Sequence, residues 1–422
     1  MNIPASFHQQ RMWFIDHFEK DYLYEGGPVY HNIPLLLKVE AGTTAMQLQK
    51  AVSRLIGRHE ILRTKIIQVG NEVFQSAIKP EEVNIEEVLS CKKGLLEQWE
   101  TLRAKPFVLE EGQLLNIYYD LSGNEGTVLF VLHHALVDRT SLGIIERDFN
   151  LFLLNPEQEL PYTLQYSYFS EWQHKMDDDE IDSLIYFWRN KLRNMEVLKF
   201  PTDKERVPVH IYEAESLSFE LNRNSLLSYC LENDITINAL SLAVFKYVLA
   251  ERSNSTDITI GTLMEVRNSI THSIVGPLDN LVVLRTQVDI KDTLPELAKK
   301  VEQSRQEASN YKAMPFDRLV VSLNPQKDMS RTALFDILYH YETTDSEPGF
   351  TVPSVKCSNQ GMGKYDLNLL VKEGENKVEF ILTYNKLYFD LSTIESILQS
   401  IQTHFEEILT TESTLLEGVE IF

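Results

Sequence analysis

The stretch that most limits what this chain can fold into is "EGTVLFVLHHALVDRTSLGIIERDFNLFLL", residues 125–154. The turn signal "SGNEG" leads into a continuous run of β-branched and aromatic residues. Such a run, bounded by a turn, predicts a buried strand that ends at the histidines. "TSLGIIERDFNLFLL" then returns to a helical period, with Thr140 or Ser141 as the expected N-cap and Glu146 close by. The chain therefore places two imidazoles at a strand end and one carboxylate, Asp138, before the next helix. Successive side chains on a strand point to opposite faces. His133 and His134 cannot both line one cavity: one packs or hydrogen-bonds, and the other faces elsewhere, as into a cleft. Asp138, beyond the strand end, can fold back on the loop or meet an arginine from another part of the chain.

Read alone, this pattern has two explanations. One is a buried pair of satisfied histidines with Asp138 as a surface or capping residue. The other is a single histidine in a cleft, acting as a proton acceptor near neutral pH. A zinc centre needs further ligands, and no Cys/His cluster at ligand spacing is present. The cysteines, Cys91, Cys230 and Cys357, are far apart and read as free thiols in a reducing compartment. A serine hydrolase of the nucleophile-elbow type needs G-x-S-x-G, which is missing.

A length of 422 residues exceeds one ordinary core and predicts two domains or two halves. "AMQLQKAVSRLIG" spaces Leu48, Ala51, Val52, Leu55 and Ile56 as the buried face of a helix. "SLIYFWRNKL", "DITINALSLAVFKYVLAERS" and "STIESILQSIQTHFEEILTT" read as helices; "NLVVLRTQVDI" and "KVEFILTYNKLYF" read as strands. The acidic stretch "HKMDDDEIDS" (174–183) is either a linker between halves or the first turn of a helix. Strands and helices mix in both halves, so the fold class is α/β or α+β. The formal charge of −22 leaves no basic excess to neutralise phosphates, which argues against nucleic acid and anionic membrane surfaces as partners, though a local basic patch could still dock an acidic partner. No stretch reaches the length of a membrane span and the N-terminus does not read as a signal peptide, so a cytoplasmic location is expected.

Motifs along nearly the whole chain resemble those of the condensation domains of non-ribosomal peptide synthetases. "SFHQQRMWFID" is similar to the first core motif, and "YHNIPLLLKVE" with "RHEILRTKI" to the second. "HHALVD" matches the HHxxxDG signature as far as the aspartate. "LQYSYFSEWQ" and "YFWRNKL" resemble the fourth region, and "IGTLMEVRNS" with "VGPLDNLVVLRT" the fifth. "PFDRLVVSLNPQKDMSRTALFDILYHYE" resembles the sixth and "GKYDLNLLV" the seventh.

The resemblance implies two chloramphenicol-acetyltransferase-like lobes, 1–175 and 176–422, in a V-shaped pseudo-dimer with a central tunnel. It implies condensation of a carrier-bound acyl or peptidyl thioester with an amine or hydroxyl acceptor. Donor and acceptor carrier proteins, or a small-molecule acceptor, would be the partners. The 4′-phosphopantetheine arms would belong to the carriers, with no metal or cofactor bound by the domain and a monomer expected. His134 aligns with the histidine assigned to the chemistry, His133 with its structural neighbour, and Asp138 with the aspartate that holds the loop through an arginine. Arg267 is the expected partner of Asp138 and Arg63 the second choice. Backbone N–H groups at the start of the helix after Asp138 are the expected oxyanion donors. Arg139 stands where the family has glycine. Either the turn does not need positive φ or the loop is altered. Three readings stay open beside the main one: a free-standing acyltransferase that uses a soluble acceptor or acyl-CoA, an epimerisation domain, and a degenerate module that only recruits a carrier.

Overall fold

The computed structural model describes residues 2–20, 27–83, 86–87, 95–111, 114–123, 125–207, 213–325, 328, 330–343 and 365–416. Its elements begin with β1 (Ile3–Pro4), α1 (Phe7–Glu19), β2 (Asn32–Val39), α2 (Ala45–Arg58), β3 (Thr64–Val69) and β4 (Glu72–Ala77). They continue through β5 (Glu86–Glu87), α3 (Leu95–Arg103), β6 (Leu115–Asp120), β7 (Gly126–His133), α4 (Arg139–Leu154) and α5 (Tyr166–His174). Among the described residues these form a sheet of order β2-β7-β6-β5 and a smaller one of order β1-β4-β3. β7 is central and antiparallel to both neighbours. It is buried along nearly its whole length, which is why its sequence is a continuous apolar run rather than an alternation. α2 starts at a capping box made by Thr44 and Gln47 and buries Leu48, Ala51, Val52, Leu55 and Ile56, the face expected from spacing. α2 lies beside α4. The Phe149 ring of α4 meets the Phe130 ring of β7 edge-on at 5.3 Å.

The second half adds α6 (Asp178–Lys191), β8 (Ala214–Asn222), α7 (Arg223–Glu232), α8 (Ile237–Ser253), β9 (Asp257–Glu265) and β10 (Asp279–Gln287). It closes with α9 (Leu294–Asn310), α10 (Phe316–Leu323), β11 (Ile337–Thr343), β12 (Leu367–Glu373), β13 (Lys377–Asn385) and α11 (Leu391–Leu416). A mixed sheet runs β10-β9-β11-β12-β13-β8, parallel at β9-β11 and β11-β12 and antiparallel from β12 to β8. α8 is buried on almost every face, in keeping with its apolar composition all round. The acidic stretch 174–183 is the entry to a helix, since α6 starts at Asp178.

Contacts divide the chain into two units. One holds Met1–Glu180 together with Glu265–Asp279, a segment that lies between β9 and β10 in sequence. The other holds Ile181–Met264 and the described residues of 280–348 and 357–422. Among the described residues no helix is long and apolar enough to cross a membrane. Cys230 is buried; Cys91 and Cys357 lie outside the described residues.

Candidate active site

β7 ends at His133, and the backbone then turns tightly, with the Leu136 N–H donating to the His133 carbonyl at 2.9 Å. This turn separates the two imidazoles. His133 is 1% exposed, while His134 is only half-buried. The His134 N–H donates to the His31 carbonyl at 2.8 Å. Its ring Nδ1 lies 3.2 Å from the Val137 carbonyl. A carbonyl only accepts, so Nδ1 carries the proton and Nε2 carries the lone pair. That is the tautomer a general base needs.

His133 has a different task. Its Nδ1 accepts the Ala135 N–H at 3.1 Å, which puts its proton on Nε2. Nε2 faces Asp16 Oδ1 at 3.4 Å, and His31 Nδ1 reaches the same oxygen at 3.1 Å. Asp16, His31 and His133 are all buried, and their donor atoms lie close enough together to hold a metal ion. The tautomer argues against that use: with Nδ1 occupied, His133 would have to give up its Nε2 proton to ligate. The arrangement is a carboxylate shared by two imidazoles. Burial works against the Asp16 charge, yet His133 and His31 outweigh it and hold its carboxyl below the ordinary value. The lock thus joins α1, the residue preceding β2, and the end of β7.

Asp138 caps α4. Its Oδ1 accepts the Ser141 N–H at 2.8 Å and the Ser141 hydroxyl at 2.6 Å. The cap is therefore Asp138 itself, not Thr140 or Ser141. The N–H groups of Ser141 and Leu142 are both given to Asp138, which removes these two from the expected set of oxyanion donors. Arg267 meets Asp138 with both terminal nitrogens, Nη1 to Oδ2 at 2.6 Å and Nη2 to Oδ1 at 3.0 Å. The two side chains are 4% and 1% exposed. The Leu278 N–H adds a bond to Oδ2 at 2.8 Å. Burial opposes the charge on Arg267, but Asp138 and then Glu265 hold its guanidinium above the ordinary value. Arg63 is elsewhere, donating to the carbonyls of Ile56 and Ile78.

Further bonds tie 265–279 to the loop. Ser141 Oγ accepts the Gly276 N–H and lies beside the Gly276 carbonyl, both at 2.9 Å. Tyr166 donates to the Pro277 carbonyl at 3.0 Å. Gly276 is needed here: it sits at φ +159°, and a Cβ would lie 1.9 Å from Tyr166 Cδ2.

Arg139 is the first residue of α4, exposed and with ordinary helical backbone. It is absent from the positive-φ residues, so this turn does not need the family's glycine for its conformation. Asp279 follows Leu278 as Arg139 follows Asp138, so the two flank the bond from the Leu278 N–H to the Asp138 carboxylate. Burial, then the charge of Asp138, push the Asp279 carboxyl up to about 7; Arg267 and Arg139 pull the other way.

Sequence reasoning passed over Asp16, His31 and Asp279, and took Ser141 only as a helix cap. Only His31 carried a usable signal: β2 pairs Asn32 with His133, so His31 stands next to the histidine pair once that register is known.

The Condensation domain family matches residues 1–421. Among curated proteins, gramicidin S synthase 2 of Brevibacillus brevis is 26% identical over 99% of this chain. That alignment takes up 9% of the synthase, so the chain spans a small part of its relative's length. A solved complex of the X-domain and OxyB from teicoplanin biosynthesis has a TM-score of 0.82 at 19% identity, over 97% of this chain and 93% of that one. A structure on condensation domain-mediated chain release from the enacyloxin polyketide synthase has a TM-score of 0.79 at 17% identity, covering 97% and 82%. At these identities the two structures speak for the fold.

Proposed function

Because this chain belongs to the condensation-domain family, we propose that it joins an acyl or peptidyl thioester to an amine or hydroxyl acceptor. The donor is delivered on the phosphopantetheine arm of a carrier protein, and the acceptor comes on a second carrier or as a small molecule. One observation carries this reading: the His134 Nδ1–H is committed to the Val137 carbonyl, which leaves Nε2 as the accepting nitrogen. Nε2 takes the acceptor's proton as its nitrogen or oxygen attacks the thioester carbon. The C–N or C–O bond forms, the C–S bond breaks, and the imidazolium returns the proton to the departing thiolate. Holding two reactants in one place removes much of the entropic barrier, so His134 need supply only part of the rate.

The share due to His134 depends on the acceptor. An α-amino group, with a pKa of about 8, is partly neutral at pH 7 and needs little help. A hydroxyl needs the base more, and general-base catalysis is worth about 10²–10⁴ in rate. His134→Ala should leave the fold intact and lower turnover of a carrier-loaded donor, more steeply for an alcohol acceptor than for an amine. Product mass after incubation with each acceptor class checks this.

Arg139 in the glycine position favours a second reading, a module that recruits a carrier without chemistry. Carrier binding with no product from any acceptor, in wild type and His134→Ala alike, would decide for it.

A further inference from the structure

α1 brings a fourth imidazole to the site, beside His31, His133 and His134. Its start is firmly fixed: Ser6 Oγ accepts the Gln9 N–H at 3.1 Å and its hydroxyl lies 2.7 Å from the Tyr166 oxygen, and Ser6, Gln9 and Tyr166 are all buried. On the first turn of this anchored helix stands His8. Its ring centroid is 5.1 Å from that of His134, the planes inclined at 53°. Three residues on, Arg11 Nη2 lies 3.3 Å from His8 Nδ1. A guanidinium can only donate, so His8 Nδ1 is the acceptor and its proton sits on Nε2. Protonating Nδ1 would set an N–H against the Arg11 cation. The two facing imidazoles thus hold opposite tautomers, Nε2–H at His8 and Nδ1–H at His134.

We propose that His8 is a positioning residue: an imidazole, oriented by Arg11, whose ring holds the His134 ring against the Val137 carbonyl and so keeps Nε2 as the accepting nitrogen. The inference rests on the role given to His134 above, but its main readout does not require turnover. With histidine nitrogens labelled by ¹⁵N, the full-length protein should show His134 protonated at Nδ1 alone at a pH where the ring is neutral. In His8→Ala the ring loses its wall, and His134 should become a mixture of tautomers. His8→Phe restores a ring of similar size and should return the single Nδ1–H signature. Melting temperatures identify any variant that fails to fold; for such a variant, His8→Gln supplies the same comparison. On a carrier-loaded donor, His8→Ala should lower kcat by roughly ten- to a hundredfold, as small misplacements of reacting groups do. KM for the donor should stay unchanged and His8→Phe should recover most of the rate. A folded His8→Ala protein in which His134 keeps one pure tautomer overturns the inference, whatever its rate. If wild type forms no product, the condensation reading fails while the tautomer comparison still decides this one.

Discussion

Asp138 concentrates the energetics of the site in one side chain. Each of its oxygens accepts one Arg267 nitrogen and at least one further donor, and the pair is almost fully buried. Deleting one partner of such a pair leaves a buried uncompensated charge, at a cost of roughly 3–5 kcal/mol. Asp138→Ala should therefore shift the denaturant midpoint by that amount. Because the two residues act as a unit, Asp138→Ala with Arg267→Met should cost less than the sum of the single changes, measured as a double-mutant cycle. A stable Asp138→Ala protein would remove the structural role. Strand alternation pointed to a split between His133 and His134, but β7 ends at His133 and it is the turn after it that sets the two rings apart. The choice between Arg267 and Arg63 was not. Both sit in motif-like surroundings, and nothing local distinguishes an arginine that bonds nearby carbonyls, as Arg63 does, from one that crosses 129 positions to a carboxylate.

At the scale of elements, the patterns that specify burial were readable and the terminations were not. α2 buries the residues its spacing selects. β7 shows its central place through an unbroken apolar run. The start of α4 was displaced because Asp138, Thr140 and Ser141 are all competent caps by type. Arg267 and Leu278, remote in sequence, hold the Asp138 carboxylate where it meets the Ser141 N–H. The segment 265–279 depends in turn on the close approach of Gly276 to Tyr166. Gly276→Ala forces a methyl group into the Tyr166 ring, and overpacking of this kind costs about 1–3 kcal/mol. The thermal midpoint should fall accordingly. Tyr166→Leu in the same chain, by opening space, should make the pair of changes cost less than their sum. Since this segment carries Arg267, Gly276→Ala should also lower activity without touching His134.

Across the whole molecule, the two units respond to pH in different ranges. In the first, Asp148 on α4 accepts Arg58 Nε and His59 Nε2, each at 2.8 Å, and ties α2 to α4. Burial opposes its charge, but His59 and Arg147 bring its carboxyl down to about 2 from an ordinary 3.8. The unfolded chain binds this proton first on acidification, so the stability from Asp148 is present above pH 3.8 and is lost as pH falls toward 2. Asp16 acts in the same sense. Asp279 acts in the opposite sense: its raised carboxyl makes the folded state hold the extra proton, so its contribution is lost as pH rises from 3.8 to about 7. Above pH 7 neither carboxylate gives the first unit anything further. The second unit contains Lys246 on α8, fully buried and donating to the Leu284 carbonyl and the Thr286 hydroxyl, each at 2.8 Å. Burial lowers its ammonium to about 7 from 10.5. Between those values the unfolded chain holds the proton and the folded chain does not, so stability rises with pH. Amide exchange followed from pH 6 to 9, corrected for intrinsic rates, should show protection in α8 rising relative to α4. Lys246→Met removes the titrating group and should flatten that rise. A constant ratio in the wild-type chain would mean that Lys246 keeps its charge inside the fold, sustained by the acceptors of β9 and β10.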